Sequence, residues 1–330
     1  VSFSAPGHAG SSTSSGDINA TNRGVIITSG DNSFGMLLQS IAGGGGVGGS
    51  STGAVSLNNT NSASNSGNIT FTNSGTIATS GAGSHAVVAQ TIGGSGGFVF
   101  GGTAKDNSAT LLGNPTGSSG DITINNSGTI SASGTNAVAL LFQNATGGAY
   151  LYQNPDGHVS AISEGATDGF APAGEVVVNN TGSIIATGTG GIGIAKNTSG
   201  ILHGNLRVEN AKDATIQGGD GGSAINLPTE DVERVTNYGT IIGGSDGLSN
   251  AISGPGGADE IKNYGTISGN IILPGLTKNI YNAPDARLES NLVLANGNIT
   301  LFQRGVVSPG GEYRIGNLEV HANYETTETS

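Results

Sequence analysis

A five-residue phrase, N-x-G-x-I, returns six times along the chain and restricts its possible folds more than any other feature. The copies begin at Asn22, Asn73, Asn126, Asn180, Asn237 and Asn263 and end at Ile26, Ile77, Ile130, Ile184, Ile241 and Ile267. The first three steps between copies are 51, 53 and 54 positions long, and the last step is 26. A looser copy at residues 210–216 divides the fourth step. The shortest steps set the underlying period, and the earlier repeats either span two units or carry long insertions.

Short apolar runs flank each copy of the phrase. They are three to six residues long, rich in β-branched residues and bounded by Gly or Asn, as in residues 68–71 before one copy and 86–88 after it. Such runs predict strands, and no segment keeps a helical period over three turns. Three strands per repeat predict one coil of a parallel β-solenoid. A β-sandwich is the second alternative, disfavoured because its strands need not share one turn phrase.

The composition fits a narrow column of stacked coils. Equivalent positions of successive coils lie about 4.8 Å apart, so a repeated Ile predicts an inward apolar ladder and a repeated Asn predicts a ladder of side-chain amides. We expect the repeated Gly of the phrase to supply a positive φ. The glycine runs at 43–46 and 93–97 predict loops that leave the coil. We expect roughly 10–13 coils of about 25–30 residues each.

Whole classes of protein are excluded by composition. The 330 residues include 60 Gly and no Cys, which excludes a disulfide scaffold, a zinc finger and a thiol nucleophile. The longest apolar run, residues 137–142, is far shorter than a membrane helix needs, so we expect no transmembrane segment in this chain. A formal charge of −12 argues against nucleic acid and anionic lipid as partners. Only 10% of residues are charged, which argues against disorder.

Four segments of the chain resemble the passenger repeats of Gram-negative type V autotransporters. They are residues 23–46, 74–97 and 250–272, and the GVVSPGGEYRIG stretch at 305–316. The resemblance implies an all-β, right-handed single-stranded parallel β-helix with Gly-rich loop insertions. It also implies export across the outer membrane, an extracellular or cell-surface location and, often, adhesion. Because no signal peptide starts at Val1 and no translocator barrel follows the repeats before Ser330, we expect a processed or truncated passenger.

The repeat spacing predicts one passenger domain over residues 1–330. Within it we expect an N-terminal arm or leading coil at 1–15, long-period repeats at 16–204, short-period repeats at 205–320 and a tail at 321–330.

The carboxylates do not predict a catalytic site. Asp17 and Asp121 recur at one strand start, where Asn68 takes the same place, and are interpreted as turn caps. Two closer acidic groups, Glu230-Asp231-Glu233 and Asp259-Glu260, are interpreted as solvated surface charge, since consecutive strand residues face opposite sides.

Histidines, serines and a calcium-like segment complete the search for chemistry. The histidines His8, His85, His158, His203 and His321 share no motif, and each is interpreted as a surface or loop residue. The GGSGG stretch at 93–97 belongs to a recurring loop phrase, not to a serine nucleophile turn. Residues 254–261 resemble one calcium nonapeptide, but Asp246 and Asp259 are too widely spaced to belong to consecutive nonapeptides, which argues against calcium there. We expect no catalytic residue, no metal ligand and no cofactor.

Two functions of different classes follow, with one structural variant of the first. The favoured function is a non-catalytic adhesin or stalk scaffold. Its partners would be a host or neighbouring-cell surface, matrix or polysaccharide, or other copies of the chain. A self-assembling surface fibre is the first alternative. A carbohydrate-active β-helix enzyme is the second, disfavoured because the chain has no Trp and few clustered carboxylates.

Overall fold

Strands from the repeated segments stack into three long parallel sheets, and the described residues contain no helix. In this computed structural model the described residues are 14–43, 45–48, 55–58, 64–94, 96–100, 109–112, 117–146, 149–163, 173–197, 204–227, 233–254, 260–276, 279–296, 300–309, 319–321 and 323–326. Without a helix, this part of the chain offers no long apolar helix to a membrane. The arrangement is that of a parallel β-solenoid, as the repeat predicts.

Each coil contributes one strand to each of three sheets, which we number 1 to 3 in the order the chain visits them. The strands of sheet 1 are Ile18–Asn22, Ile69–Asn73, Ile122–Asn126, Val176–Asn180, Leu206–Asn210, Glu233–Asn237, Glu260–Asn263, Asn279–Asn282, Thr300–Gln303 and Asn323–Thr326. Those of sheet 2 are Val25–Thr28, Thr76–Thr79, Thr129–Ala132, Ser183–Ala186, Thr215–Gln217, Thr240–Ile242, Thr266–Ser268, Arg287–Glu289 and Val306–Val307. Those of sheet 3 are Met36–Ile41, Val87–Ile92, Val138–Ala145, Ile192–Lys196, Ser223–Asn226, Asn250–Ser253, Asn270–Leu276, Leu292–Asn296 and Glu319–His321.

The described residues therefore form nine complete coils and the first strand of a tenth. We number the coils 1 to 9 from the N-terminus. This is fewer complete coils than predicted, because each of the first three repeats is a single coil with an insertion and not two coils. Ile18 pairs directly with Ile69, and Ile69 pairs with Ile122, so each long step between copies of the phrase makes one turn.

Burial alternates along the strands as the phrase predicts. In coil 3 the strand Ile122–Asn126 buries every second side chain, and Thr129–Ala132 buries Ile130 and Ala132. The isoleucines of the phrase point inward and are buried, which confirms the predicted register; Ile26, in coil 1, is only partly buried. These side chains form one continuous apolar core through the column. Continuous burial of this kind is the main stabilising contribution in stacked repeats.

The insertions of coils 1 to 3 build two further sheets beside the column. Sheet 4 contains Gly45–Gly48, Gly96–Phe100, Ala149–Gln153 and Val159–Ser163, and sheet 5 contains Val55–Asn58 and Ala109–Leu112. The first three strands of sheet 4 run parallel in register, and Val159–Ser163 pairs antiparallel along the last edge. Sheet 4 therefore ends where the insertions that supply it end.

The predicted loop is wrong for the last two glycines of each run, because strands of sheet 4 begin at Gly45 and Gly96; Gly43, Gly93 and Gly94 lie outside strands. Gly97 adopts a φ of +150°, and a Cβ on it would lie 1.9 Å from the carbonyl oxygen of Gly46 in the coil before. Only glycine allows both this φ and this close backbone approach. A glycine-rich strand lacks the apolar alternation by which strands are predicted.

Sheet 3 is buried on both faces where sheet 4 covers it. Leu37, Val88 and Leu141 face away from the column and pack against Phe98 and Leu151 of sheet 4. This second core explains the uninterrupted apolar run at residues 137–142, since a strand covered on both sides needs no polar face.

The expected reason for the glycine of the phrase is wrong. The glycines of the repeated turn are Gly24, Gly75, Gly128, Gly182, Gly239 and Gly265, and none of them has a positive φ. A Cβ on Gly128 would instead lie 2.0 Å from the carbonyl oxygen of Gly75 in the preceding coil. Stacking distance, and not backbone handedness, requires glycine at this corner.

Candidate binding surface

A ladder of buried amides runs along the corner between sheets 1 and 2. Each asparagine donates from Nδ2 to the Oδ1 of its equivalent in the next coil, through Asn22, Asn73, Asn126, Asn180, Asn210, Asn237, Asn263 and Asn282, at 2.7–2.8 Å. The last of them donates to Gln303 at 3.2 Å. Nδ2 also bonds the carbonyl oxygen of the turn glycine, as Asn126 does with Gly128. The predicted ladder is confirmed, and its role is structural.

The carboxylates at the start of sheet 1 cap backbone amides, as predicted, but the amides belong to the next coil. Oδ1 of Asp17 accepts the backbone N–H of Asn68 at 2.7 Å, and Oδ1 of Asn68 accepts that of Asp121 at 2.8 Å. Asp121 continues the series by accepting the N–H of Glu175 at 2.7 Å. These side chains are therefore occupied in hydrogen bonds between successive coils.

The acidic groups of the C-terminal half divide between two environments. Glu233 is fully buried at an inward position in register with Leu206, so its interpretation as surface charge is wrong. Glu260 faces outward and pairs with Lys262 at 2.8 Å. Glu230, Asp231 and Asp259 lie outside the described residues.

His85 lies in the connection before the strand Val87–Ile92, as a loop residue, but it is fully buried and not at the surface. It takes the place that Phe34 has in coil 1, beneath sheet 4, where both side chains pack near Phe98. Its Nδ1 accepts the backbone N–H of Val138 at 3.1 Å, while Nε2 has no hydrogen-bond partner among the described residues. Burial lowers the pKa of His85 to about 3, so the imidazole is neutral.

Of the other histidines, only the side chain of His158 is described. His158 is exposed and lies 3.1 Å from Asp156, where backbone and side-chain hydrogen bonds from His158 lower the pKa of the Asp156 carboxyl. The strand that ends at His321 is described only as backbone. His8 and His203 lie outside the described residues.

Asp246 and its neighbours hold a turn together. Its carboxylate accepts the backbone N–H groups of Leu248 and Ser249 and the hydroxyl of Ser249, each at 2.9 Å. Desolvation acts to raise the pKa of Asp246, but these bonds outweigh it and the pKa lies below its usual value. The part of the chain that the structure describes contains no group of three His, Cys, Asp or Glu placed to hold a metal ion.

The outer face of sheet 1 changes character halfway along the column. In coils 1 to 4 its outward positions carry uncharged residues, namely Asn19, Thr21, Thr70, Thr72, Thr123, Asn125, Val177 and Asn179. In coils 5 to 7 the same positions carry Arg207, Glu209, Arg234, Thr236, Glu260 and Lys262. The backbone is unchanged, so the difference lies in the side chains alone.

Tyrosines lie beside these charges. Tyr238 and Tyr264 follow the ladder asparagines of coils 6 and 7, and both are exposed, at 45% and 39%. Their rings stack with centroids 5.0 Å apart and planes 11° from parallel. Tyr281 of coil 8 continues the row, with its ring centroid 6.0 Å from that of Tyr264. The row of rings thus extends along three coils.

Two arginines on this surface lack a carboxylate partner. Arg207 and Arg234 are in register on adjacent strands, both exposed, and neither forms an ion pair or side-chain hydrogen bond with a described residue. Like charges placed directly opposite destabilise a sheet. Lys262 is instead paired, and its hydrogen bond to Glu260 raises its pKa, so it stays charged.

We call this surface the tyrosine–arginine face and define it by Arg207, Arg234, Tyr238, Lys262, Tyr264 and Tyr281. It is the one exposed surface described here where aromatic rings and unpaired cations meet. Its guanidinium groups can bind anionic groups of a ligand. Its tyrosines and Lys262, with the adjacent Glu260, can form hydrogen bonds to hydroxyl groups of a ligand.

Sequence reasoning missed this face, although two signals were present. The variable second position of the phrase is Tyr in two successive copies, at 238 and 264. The arginines gave a second signal, since Arg207 and Arg234 each stand three residues before an asparagine of the repeat, at 210 in the looser copy and at 237.

Comparisons with known proteins give no relative from which a role could be transferred. No protein-family model, no curated protein and no solved structure matches this chain.

Proposed function

We propose that the chain is an extracellular, surface-displayed β-helix passenger of a Gram-negative autotransporter and acts as a non-catalytic adhesin. The observation that carries the proposal is the tyrosine–arginine face on a rigid column. Exposed aromatic and arginine side chains are enriched where proteins bind partners. The passenger repeat phrases and the absence of Cys support the secreted location.

The distribution of side chains supports binding over catalysis. The inward positions of the described coils hold mainly apolar residues and the amide ladder, with Glu233 as a single buried carboxylate, and Asp17 and Asp121 at the coil starts cap backbone amides. Acid–base catalysis by a glycosidase needs two carboxyl groups facing one substrate. The two outward carboxylates of coils 5 and 7, Glu209 and Glu260, lie on strands that are not neighbours, and the latter is paired with Lys262.

Surface display tests the proposal. The chain is fused to a translocator barrel in a non-adhering Gram-negative host, and cell adherence to matrix, polysaccharide-coated surfaces and sister cells is compared with that of the barrel alone. We expect adherence that depends on the displayed chain. No gain of adherence to any surface would refute the adhesin function, and release of reducing ends from a polysaccharide would refute its non-catalytic part.

Electron microscopy of the same cells tests the fibre alternative. An adhesin is expected to project as single stalks. Ordered filaments longer than one chain would favour the self-assembling fibre instead.

A further inference from the structure

We propose that the tyrosine–arginine face binds an acidic polysaccharide whose chain lies along the column axis. This inference rests on the adhesin function proposed above and names its ligand class. It begins with Arg207 and Arg234, which lie side by side on adjacent strands and form no ion pair with a described residue; Glu260, which is in register with Arg234, is paired with Lys262 instead. A guanidinium group binds a carboxylate or sulfate through two parallel hydrogen bonds. An anionic group placed between the two arginines removes their mutual repulsion.

The direction of the face favours an extended ligand. Its residues rise one coil at a time, from Arg207 in coil 5 through Arg234 and Tyr264 to Tyr281 in coil 8. Coils are spaced about 4.8 Å apart. A pyranose residue in an extended chain advances by a similar length, so each coil can meet one sugar.

The mixed chemistry of the face favours sugar over other polyanions. Tyrosine hydroxyls, Lys262 and Glu260 offer donors and acceptors that suit the many hydroxyl groups of a polysaccharide. The rings of Tyr238 and Tyr264 stack on each other, so one face of each is covered and the row offers fewer open ring faces for successive nucleotide bases to stack on.

The net charge of −12 disfavours every polyanion, an acidic polysaccharide included. Binding must therefore come from the local cations and hydrogen-bonding groups of the face.

The chain itself provides variants that preserve the fold. Arg207→Thr with Arg234→Thr copies Thr70 and Thr123, which hold the same outward position in coils 2 and 3. Tyr238→Ser with Tyr264→Ser copies Ser74 and Ser127, which hold the same position of the phrase in coils 2 and 3. The backbone N–H at this position donates to the carbonyl oxygen of the ladder asparagine in the preceding coil in all four cases. The control is Arg23→Ser with Arg287→Thr, which removes two positive charges outside the face.

Binding of the full chain is measured by calorimetry with polygalacturonate, which is carboxylated, and with dextran sulfate, which is sulfated. Neutral dextran, single-stranded oligothymidine and phosphatidylglycerol vesicles complete the set. We expect binding to at least one acidic polysaccharide, weakening with salt, and none to dextran. Affinity should fall about tenfold or more in each face variant and change less than about twofold in the control. The tighter of the two acidic polymers identifies the anionic group.

Several results would overturn the inference. The inference fails if neither acidic polysaccharide binds, or if the control variant loses as much affinity as the face variants. It also fails if the oligonucleotide or the vesicles bind as tightly and are equally sensitive to the face variants. Circular dichroism and urea midpoints verify folding. If a double variant unfolds, the affinity is measured instead with the single substitutions Arg207→Thr and Tyr264→Ser.

Display of the same variants separates the two proposals. Adherence that survives Arg207→Thr with Arg234→Thr would reject this face and keep the adhesin function. A wild-type chain that binds polygalacturonate in solution but gives cells no adherence would reject the adhesin function and keep the face.

Discussion

Every buried asparagine of the ladder corner ties two coils together and closes its own turn. Asn126 accepts a bond from Asn73 and donates to Asn180 and to the carbonyl oxygen of Gly128, with its side chain 1% exposed. Because both neighbours lose a partner when it is removed, we expect Asn126→Ala to cost about 2–4 kcal/mol in the free energy of unfolding. Urea denaturation followed by circular dichroism measures this.

Asn125 provides the matched control in the same strand. It faces outward and has one amide bond, from Asn179 at 2.9 Å. We expect Asn125→Ala to cost less than about 1 kcal/mol. Equal losses at the two positions would mean that the buried ladder contributes no more than the outward pair.

The glycine of the repeated turn gives a prediction with its own control. A Cβ on Gly128 meets the carbonyl oxygen of Gly75, whereas a Cβ on Gly24 in coil 1 meets nothing within 4 Å. Neither residue has a positive φ. We expect Gly128→Ala to destabilise by about 1–3 kcal/mol or more and Gly24→Ala to be neutral or stabilising by up to about 1 kcal/mol. Urea midpoints that shift alike would contradict the stacking argument.

His85 makes the stability depend on pH. Burial lowers its pKa from 6.5 to about 3, so between these values the unfolded chain binds a proton that the folded protein does not. Stability is therefore unaffected above pH 6.5 and falls with falling pH below it, by about 1.4 kcal/mol per unit, until about pH 3.

The replacement His85→Phe, which copies Phe34 of coil 1, should remove this slope between pH 6.5 and 4.5. The lowered carboxyl pKa values of Asp156 and Asp246 affect stability only nearer pH 3.8 and below, where stability is also lost as pH falls. Urea unfolding of both proteins across that window measures the difference. An unchanged slope in the variant would assign the pH dependence to other groups.

Among the elements, sheet 4 has a core of its own. Leu151 is fully buried in the second cluster with Phe98 and Leu141, while Leu140 is fully buried in the column core. Truncating either leucine to Ala leaves a cavity that costs about 2–5 kcal/mol. We expect Leu151→Ala to speed hydrogen exchange in sheet 4 and leave coils 5 to 9 protected, and Leu140→Ala to affect the sheet 1 strands of coils 2 to 4. Identical exchange patterns would show that the two cores unfold as one.

How far the elements could be predicted depends on whether they repeat. The Asn ladder and the inward isoleucines follow from periodicity, because stacked coils place equal positions over one another. The glycine strands of sheet 4 have no apolar alternation, and the burial of His85 depends on sheet 4 covering it. Burial of Glu233 and alignment of Arg207 with Arg234 follow from the step of 27 residues between Asn210 and Asn237, once the looser copy at 210–216 is counted as a coil. A charged residue at an inward position breaks the apolar pattern, so local sequence alone did not indicate its burial.

The whole column should tolerate removal of one complete coil. Deleting residues 238–263 joins Asn237 to Tyr264, so the ladder and all three sheets keep their register. We expect a folded protein with unchanged β content per residue and a column shorter by about 4.8 Å, because each coil contacts only its neighbours. Circular dichroism and small-angle scattering check this.

A deletion of half that length is the control. Removing residues 238–250 places a sheet 3 segment directly after sheet 1 and breaks the order of strands. We expect loss of the folded state. Equal folding of both deletions would contradict the stacked-coil order.

The amide ladder also makes the two ends of the column different, with its donors directed toward one end and its acceptors toward the other. In every link between coils the donated N–H points from coil 1 toward coil 9, so the bonds of the ladder all run in one direction along the axis. A twofold axis would bring two donor ends or two acceptor ends together. Any assembly that continued the ladder between copies would therefore be heterologous and open, a polar filament and never a closed dimer.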